Sequence, residues 1–353
     1  MNGGGRDAAR PLRIAQVAPP LEAVPPIAYG GTERIVAELV RELDRRGHRV
    51  TTFASGDSRI PGEHVVTVPK ALRPAGLADD PAAAFERTIR MVLERAGDFD
   101  LIHAHVDRWN LELVERAAGT PVVSTFHGRL DVPWAQAAFA VAPPGLVAVS
   151  HDQARVHPEA DWTVIHHGLT FDLPPFVATP GEDFCFVGRI TPEKGLVDAI
   201  EVARLTGRRL LVSAKVATTQ MELDYEAAVV APALARADVT MLGELSDPDR
   251  DRLVASSRAA LIPSAWPEPF GLVVIEALAC GTPVLVRRAG AIPELVRDGI
   301  DGFIGDDVQQ LAYFDHRLDD LDRAAIRASA LERFSVARMV DSYEAVYRRL
   351  VSP

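Results

Sequence analysis

Two glutamates, Glu268 and Glu276, stand eight positions apart in the stretch PEPFGLVVIEALACGTP, Pro267 to Pro283. Glu276 follows Leu272, Val273, Val274 and Ile275 and precedes Ala277, Leu278 and Ala279, so its carboxylate falls inside a segment with the composition of a buried helix. A carboxylate taken out of water needs a partner. That partner is either an arginine of the next strand, Arg287 or Arg288, or a ligand offering two adjacent hydroxyls, such as a ribose diol. Phe270, Gly271 and Leu272 would place backbone N–H groups at the start of the same helix, where an anion can be bound.

Three further stretches carry chemistry. In FCFVGRITPEKG, Gly188 and Arg189 end an apolar run, Thr191 and Pro192 suit the opening of a helix, and Lys194 follows in its first turn. A cation at the positive end of a helix is unfavourable, so Lys194 with Arg189 points to a bound anion. In YGGTE, Gly30 and Gly31 let backbone approach a ligand without an intervening side chain, near a helix opening at Thr32. In STFHG, His127 ends another apolar run, and His103 and His105 sit in LIHAHV. A single histidine at a strand end is as readily a structural residue as a catalytic one. The chain has no GxGxxG, HExxH or GxSxG motif and no cysteine–histidine ligand spacing.

These residues need strand ends to stand on, and the chain supplies them. Apolar runs of strand length alternate with segments of helical period from Leu12 onward, the pattern of parallel α/β sheets. LRIAQVAP, RVTTFAS, HVVTVP, DLIHAHV, PVVSTFHG, GLVAVS and WTVIHHG form a first series, and FCFVGRI, RLLVSAK, VTMLGEL, AALIPSA and PVLVRRAG a second. Ile35, Val36, Leu39, Val40 and Leu43 make one helical stripe. LTFDLPPFVATPGED, residues 169–183, reads as a linker. The expected organisation is a disordered tail over 1–11, a Rossmann-like domain over 12–170, and a second over 171–335. A terminal helix within 336–353 packs back on the first domain, with Met339, Val340, Tyr343, Val346, Tyr347 and Leu350 on its buried face.

Composition narrows the partners. The formal net charge of −11 argues against a nucleic-acid or anionic-membrane binder, and no run approaches the ~20 apolar residues that span a bilayer. Cys185 and Cys280 are far apart in apolar contexts, which fits inert core thiols. The N-terminal MNGGGRDAARP lacks the apolar run of a signal peptide, so a cytoplasmic location is expected.

Taken in order, YGGTE, HAH, STFHG, VGRITPEKG, PSAWPEPFGLVVIEALACGTPV and IPELVRDGIDGF resemble a retaining glycosyltransferase of family 4 with the GT-B fold, two tandem Rossmann-like domains with a cleft between them. The resemblance runs from Leu12 to the terminal helix. It implies a nucleotide-diphosphate sugar donor, a UDP or GDP sugar, held mainly by the second domain, with Gly188, Arg189, Lys194, Phe270, Gly271 and Leu272 around the diphosphate. It further implies Glu276 on the ribose hydroxyls, Glu268 on the transferred sugar, Gly30 and Gly31 closing from the first domain, and His127 near the sugar at the reaction centre. The acceptor is a hydroxyl, and neither a cofactor nor a metal is expected, because Arg189 and Lys194 would neutralise the leaving diphosphate. Two positions depart from the family pattern: Lys215, Val216 and Ala217 replace a glycine-rich turn, and His167-Gly168 stands where Asn-Gly is frequent. Two other readings share the fold, a sugar-nucleotide epimerase and a nucleotide-sugar-binding protein without turnover.

Overall fold

A computed structural model describes residues 10–27, 30–78, 80–117, 119–139, 143–171, 174–215 and 219–352. The chain divides into two compact units, one of residues 1–149, 153–170 and 336–353, the other of residues 150–152 and 171–335.

Unit 1 is built on a seven-stranded parallel sheet ordered β3-β2-β1-β4-β5-β6-β7. Its strands are β1 Arg13–Val17, β2 Arg49–Ser55, β3 Glu63–Val68, β4 Leu101–Ala104, β5 Val122–Phe126, β6 Leu146–Ala148 and β7 Thr163–Val164. β1 is an interior strand, pairing Ile14 with Val50 on one side and with Leu101 on the other. Strands covered on both faces read as near-continuous apolar runs, which is why these segments stand out in the sequence. The helix Gly31–Arg45 opens at Gly31, one residue before Thr32, and buries Ile35, Val36, Leu39, Val40 and Leu43.

The terminal helix Val336–Val351 lies against the helix Gly31–Arg45. It buries Met339, Val340, Tyr343, Val346 and Tyr347, with Leu350 half-buried. A polar clasp reinforces this packing. Arg46 reaches Glu42 at 2.8 Å, Asp341 at 2.6 Å, Glu344, and the Ala337 carbonyl at 3.0 Å. The Leu12 N–H donates to His48 Nδ1 at 3.1 Å, so His48 Nε2 carries the proton that faces Glu344, 2.7 Å away.

Unit 2 holds a six-stranded parallel sheet ordered β10-β9-β8-β11-β12-β13. These strands are β8 Phe184–Arg189, β9 Leu210–Lys215, β10 Val239–Gly243, β11 Ala259–Ile262, β12 Val284–Arg287 and β13 Gly302–Gly305. The last is absent from the sequence reading because it has only two apolar residues, Phe303 and Ile304, between glycines. Gly302 passes so close to β12 that a Cβ there would fall 2.1 Å from the Val284 carbonyl oxygen. Cys185 and Cys280 are buried, and burial pushes their thiols up to about 11 and about 12. Among the described residues no helix is long and apolar enough to cross a membrane.

The docking of the terminal helix should dominate the stability of unit 1. Tyr343 is fully buried, and Tyr343→Ala should cost about 3–5 kcal/mol by leaving a cavity. Tyr313→Ala, at a side chain 64% exposed, should stay within about 0.5 kcal/mol. Urea unfolding followed by tryptophan fluorescence checks this, and equal midpoints for the two variants would refute it.

Candidate functional site

In unit 1 the first cluster forms where β1 feeds the helix Gly31–Arg45. Gly30 caps that helix, and a Cβ on it would lie 2.8 Å from Pro26 Cβ and 3.2 Å from Glu33 Oε2. The glycine is therefore required by close approach, and Gly31 begins the helix behind it. Ala28 and Tyr29, which complete the stretch, lie outside the described residues. Glu33 is buried one turn into the helix, and Glu22, also buried, pairs with Arg73 at 2.9 Å. Burial pushes the Glu33 carboxyl up to about 7, against the pull of backbone N–H groups and with the Glu22 carboxylate adding to the rise.

The second cluster gathers at the ends of β4 and β5. The His127 and Gly128 N–H groups donate to Asp107 Oδ1 at 3.1 and 3.4 Å, and Gln153 donates to the Phe126 and Gly128 carbonyls, so the turn after β5 is held from both sides. The ring of His127 stacks on His167, with centroids 5.1 Å apart, and meets His105 at 2.9 Å. Although that ring is partly exposed, close packing pushes His127 down to about 3, so it is neutral near pH 7. His103 and His105 are fully buried and hydrogen-bonded to Tyr347, Thr125 and Gln16.

In unit 2 the strand β8 ends at Gly188 and Arg189, and residues Pro192–Lys194 form a single 3-10 turn before the helix Leu196–Thr206. Lys194 thus precedes the long helix instead of standing in its first turn. The reason is Gly195, whose left-handed φ of 74° separates the two and whose Cβ would clash with the Pro263 carbonyl at 2.8 Å. Both cations have carboxylate neighbours: Lys194 Nζ pairs with Glu268, and Arg189 Nη2 lies 3.2 Å from Glu193. Each cation therefore has a protein carboxylate beside it, whether or not it also meets an anion.

Glu268 is placed by its backbone. Gly290, at φ 53°, comes so near that a Cβ would sit 2.4 Å from the Glu268 carbonyl oxygen, which accepts the Ala291 N–H at 3.0 Å. Downstream, Gly271 caps the helix Leu272–Ala279 with φ 111°, and Phe270 is buried beside Phe334. Glu276 lies in that helix with 14% of its side chain exposed, and the Arg250 guanidinium stands 3.7 Å from it. Arg287 and Arg288, one of the two alternatives read from the sequence, pair with Asp198 and Asp306. Arg250 is held by Asp251 and Asp247, both at 2.8 Å. Burial works against its charge, yet Glu276 and the two aspartates hold it above the usual arginine value. Of the departures from the family pattern, Lys215 ends β9, whereas Val216 and Ala217 lie outside the described residues. Among the described residues no group of three or more His, Cys, Asp or Glu is arranged to hold a metal ion.

Glu33, Gly290 and Arg250 are among the residues that sequence reasoning did not single out. For Glu33 the structure sets a pH dependence. Its folded carboxyl titrates near 7 and its unfolded one near 4.5, so the folded state binds the extra proton between these values and stability falls as pH rises through that window. The loss reaches about 3 kcal/mol above the window. Glu33→Gln should match the wild type at about pH 4 and be more stable at about pH 8. A melting-temperature profile records this, and identical slopes for the two proteins would rule it out.

Comparison with known proteins supplies the wider setting. The description Glycosyltransferase Family 4 matches residues 29–172, and Glycosyl transferases group 1 matches residues 176–321. The D-inositol 3-phosphate glycosyltransferase of Acidothermus cellulolyticus is 31% identical over 367 residues, covering 84% of this chain and 80% of that protein. Among solved structures, AviGT4, a glycosyltransferase involved in avilamycin A biosynthesis, is 26% identical with a TM-score of 0.68, over 97% of this chain and 98% of its own. Anabaena HepE in complex with UDP-glucose has a TM-score of 0.71 at 20% identity, over 95% of this chain and 99% of its own. With its two halves matched in chain order and a relative aligned along most of its length, the chain belongs to the family 4 glycosyltransferases, on the GT-B fold of two Rossmann-like domains.

Proposed function

We propose that this glycosyltransferase moves a hexosyl group from a nucleoside-diphosphate sugar to an acceptor hydroxyl, with retention of anomeric configuration and without a divalent metal. The observation that carries the reading is the ion pair of Lys194 with Glu268 in unit 2. It brings a cation suited to a diphosphate and a carboxylate suited to sugar hydroxyls to one point. Arg189 shares the diphosphate, with the backbone of Phe270, Gly271 and Leu272 at the helix start. Glu276 accepts the ribose hydroxyls, and Arg250 holds that carboxylate in place. Unit 1 contributes Gly30 and Gly31 toward the donor and His127 toward the sugar. The likeness to HepE, solved with UDP-glucose, supports a UDP sugar as the first donor to assay, with GDP sugars next.

In the reaction the bond from the anomeric carbon to the phosphate oxygen breaks, and its electron pair leaves with the diphosphate. Fixed cations matter most here, because negative charge grows on the leaving group in the transition state. The acceptor oxygen bonds to the anomeric carbon on the face the diphosphate vacates, and the acceptor proton passes to the departing phosphate oxygen. His127 supports this course. Pushed down to about 3, it is a weak base, suited to positioning a sugar hydroxyl more than to deprotonating an acceptor.

The relative named D-inositol 3-phosphate glycosyltransferase makes a polyol phosphate the first acceptor to try. Turnover is assayed in excess EDTA with an α-linked donor, and the first-formed product is examined by proton NMR. Activity should persist and the product should be α-linked. Loss of turnover restored by magnesium or manganese would contradict metal independence, and a β-linked product would overturn retention.

A further inference from the structure

A continuous chain of buried polar groups runs through unit 1 behind His127. His127 Nε2 lies 2.9 Å from His105 Nδ1, and His105 Nε2 lies 3.0 Å from Gln16 Oε1. Gln16 Nε2 faces Tyr347 Oη at 3.3 Å and His103 Nδ1 at 3.4 Å. Tyr347 Oη meets His103 Nδ1 at 2.6 Å, His103 Nε2 meets Thr125 Oγ1 at 2.7 Å, and Thr125 Oγ1 meets Tyr343 Oη at 3.1 Å. Gln16, His103, His105, Thr125, Tyr343 and Tyr347 are buried, which disfavours a charge on any of them. The imidazoles are therefore neutral, each carrying one N–H and one bare nitrogen.

The donors and acceptors can then be assigned along the chain. The Gln16 amide turns its two N–H hydrogens toward two neighbours, Tyr347 Oη and His103 Nδ1, and its carbonyl toward one, His105. Turned over, it would direct its N–H groups to the side where His105 offers one nitrogen, leaving one N–H without an acceptor there. On the other arm Tyr347 donates to His103 Nδ1 at 2.6 Å, with the second Gln16 N–H sharing that lone pair at the longer 3.4 Å, His103 Nε2–H donates to Thr125, and Thr125 donates to Tyr343. With the amide oriented in this way, His105 must donate from Nε2 to Gln16. Its Nδ1 is then an acceptor, and His127 must donate to it from Nε2.

We propose that Gln16 and His105 are positioning residues that fix the proton of His127 on Nε2, leaving Nδ1 as an obligate acceptor for a ligand hydroxyl. The identity of that hydroxyl, on the transferred sugar, rests on the function proposed above. The relay itself does not. The consequence is specificity. A hydroxyl can donate to the bare nitrogen, whereas an ether, a carbonyl or a phosphate oxygen at the same place would set one lone pair against another. Neither Gln16 nor His105 touches the ligand in this scheme.

The test is made without a donor, so failure of the nucleotide-sugar reading leaves its outcome intact. Protein carrying 15N-labelled histidine is examined at neutral pH by long-range proton–nitrogen correlation, with His127 assigned by the signal lost in His127→Gln. The expected wild-type pattern is protonation at Nε2 with a bare Nδ1. Gln16→Met keeps the side-chain length and removes the acceptor, and it should collapse that single pattern into a mixture of tautomers. Protonation of wild-type His127 at Nδ1 overturns the proposal outright, whether or not the variant folds. A folded Gln16→Met protein with the wild-type pattern overturns the relay. A merely structural role for Gln16 would alter the melting temperature and leave the tautomer unchanged.

Discussion

The ion pair between Lys194 and Glu268 joins two motifs that lie 74 residues apart. Its geometry rests on two glycines. Gly195 lets the turn carrying Lys194 end against the Pro263 carbonyl, and Gly290 lets the backbone carrying Glu268 be gripped from β12's exit. Any side chain at either position would push one partner away. The two motifs therefore fix each other, and each charge offsets part of what the other loses on leaving water.

Unit 1 solves a different problem, because its strand ends carry polar side chains inside a core. Gln16, His103, His105 and Thr125 are enclosed, and their hydrogen bonds close only because Tyr343 and Tyr347 of the terminal helix supply hydroxyls. Packing and polar satisfaction are thus one event. The helix Val336–Val351 covers the apolar face of unit 1 and completes the network behind His127. The clasp of Arg46 and His48 on Glu344 fixes the helix in register with the helix Gly31–Arg45.

Much of this was legible in the sequence wherever a single rule governs a segment. The parallel strands stood out as apolar runs, and Glu276 stood out as a charge inside one. HAH places two histidines at alternating positions, and their rings lie 4.0 Å apart, whereas Gln16, the one buried polar residue of its strand, was not singled out. What could not be read depends on chain segments meeting in space. Arg250 sits in DPDRDRL, which looks like a solvated charged turn, yet its guanidinium turns toward Glu276 and is largely buried. Gly290 is unremarkable in RRAG until Glu268 arrives beside it. β13 has too few apolar residues to announce itself and exists because β12 offers it a partner.

In the proposed reaction Lys194 and Glu268 divide the donor between them, the lysine taking the diphosphate and the glutamate the sugar. Isothermal titration of Lys194→Ala and Glu268→Gln tests it, using UDP and UDP-glucose, then GDP and GDP-mannose. Lys194→Ala should weaken the nucleoside diphosphate and its sugar conjugate alike, by about tenfold or more, as the loss of a charge-assisted contact implies. Glu268→Gln should weaken only the sugar conjugate. Equal losses from Glu268→Gln on both ligands would contradict the division and reduce the pair to a structural contact.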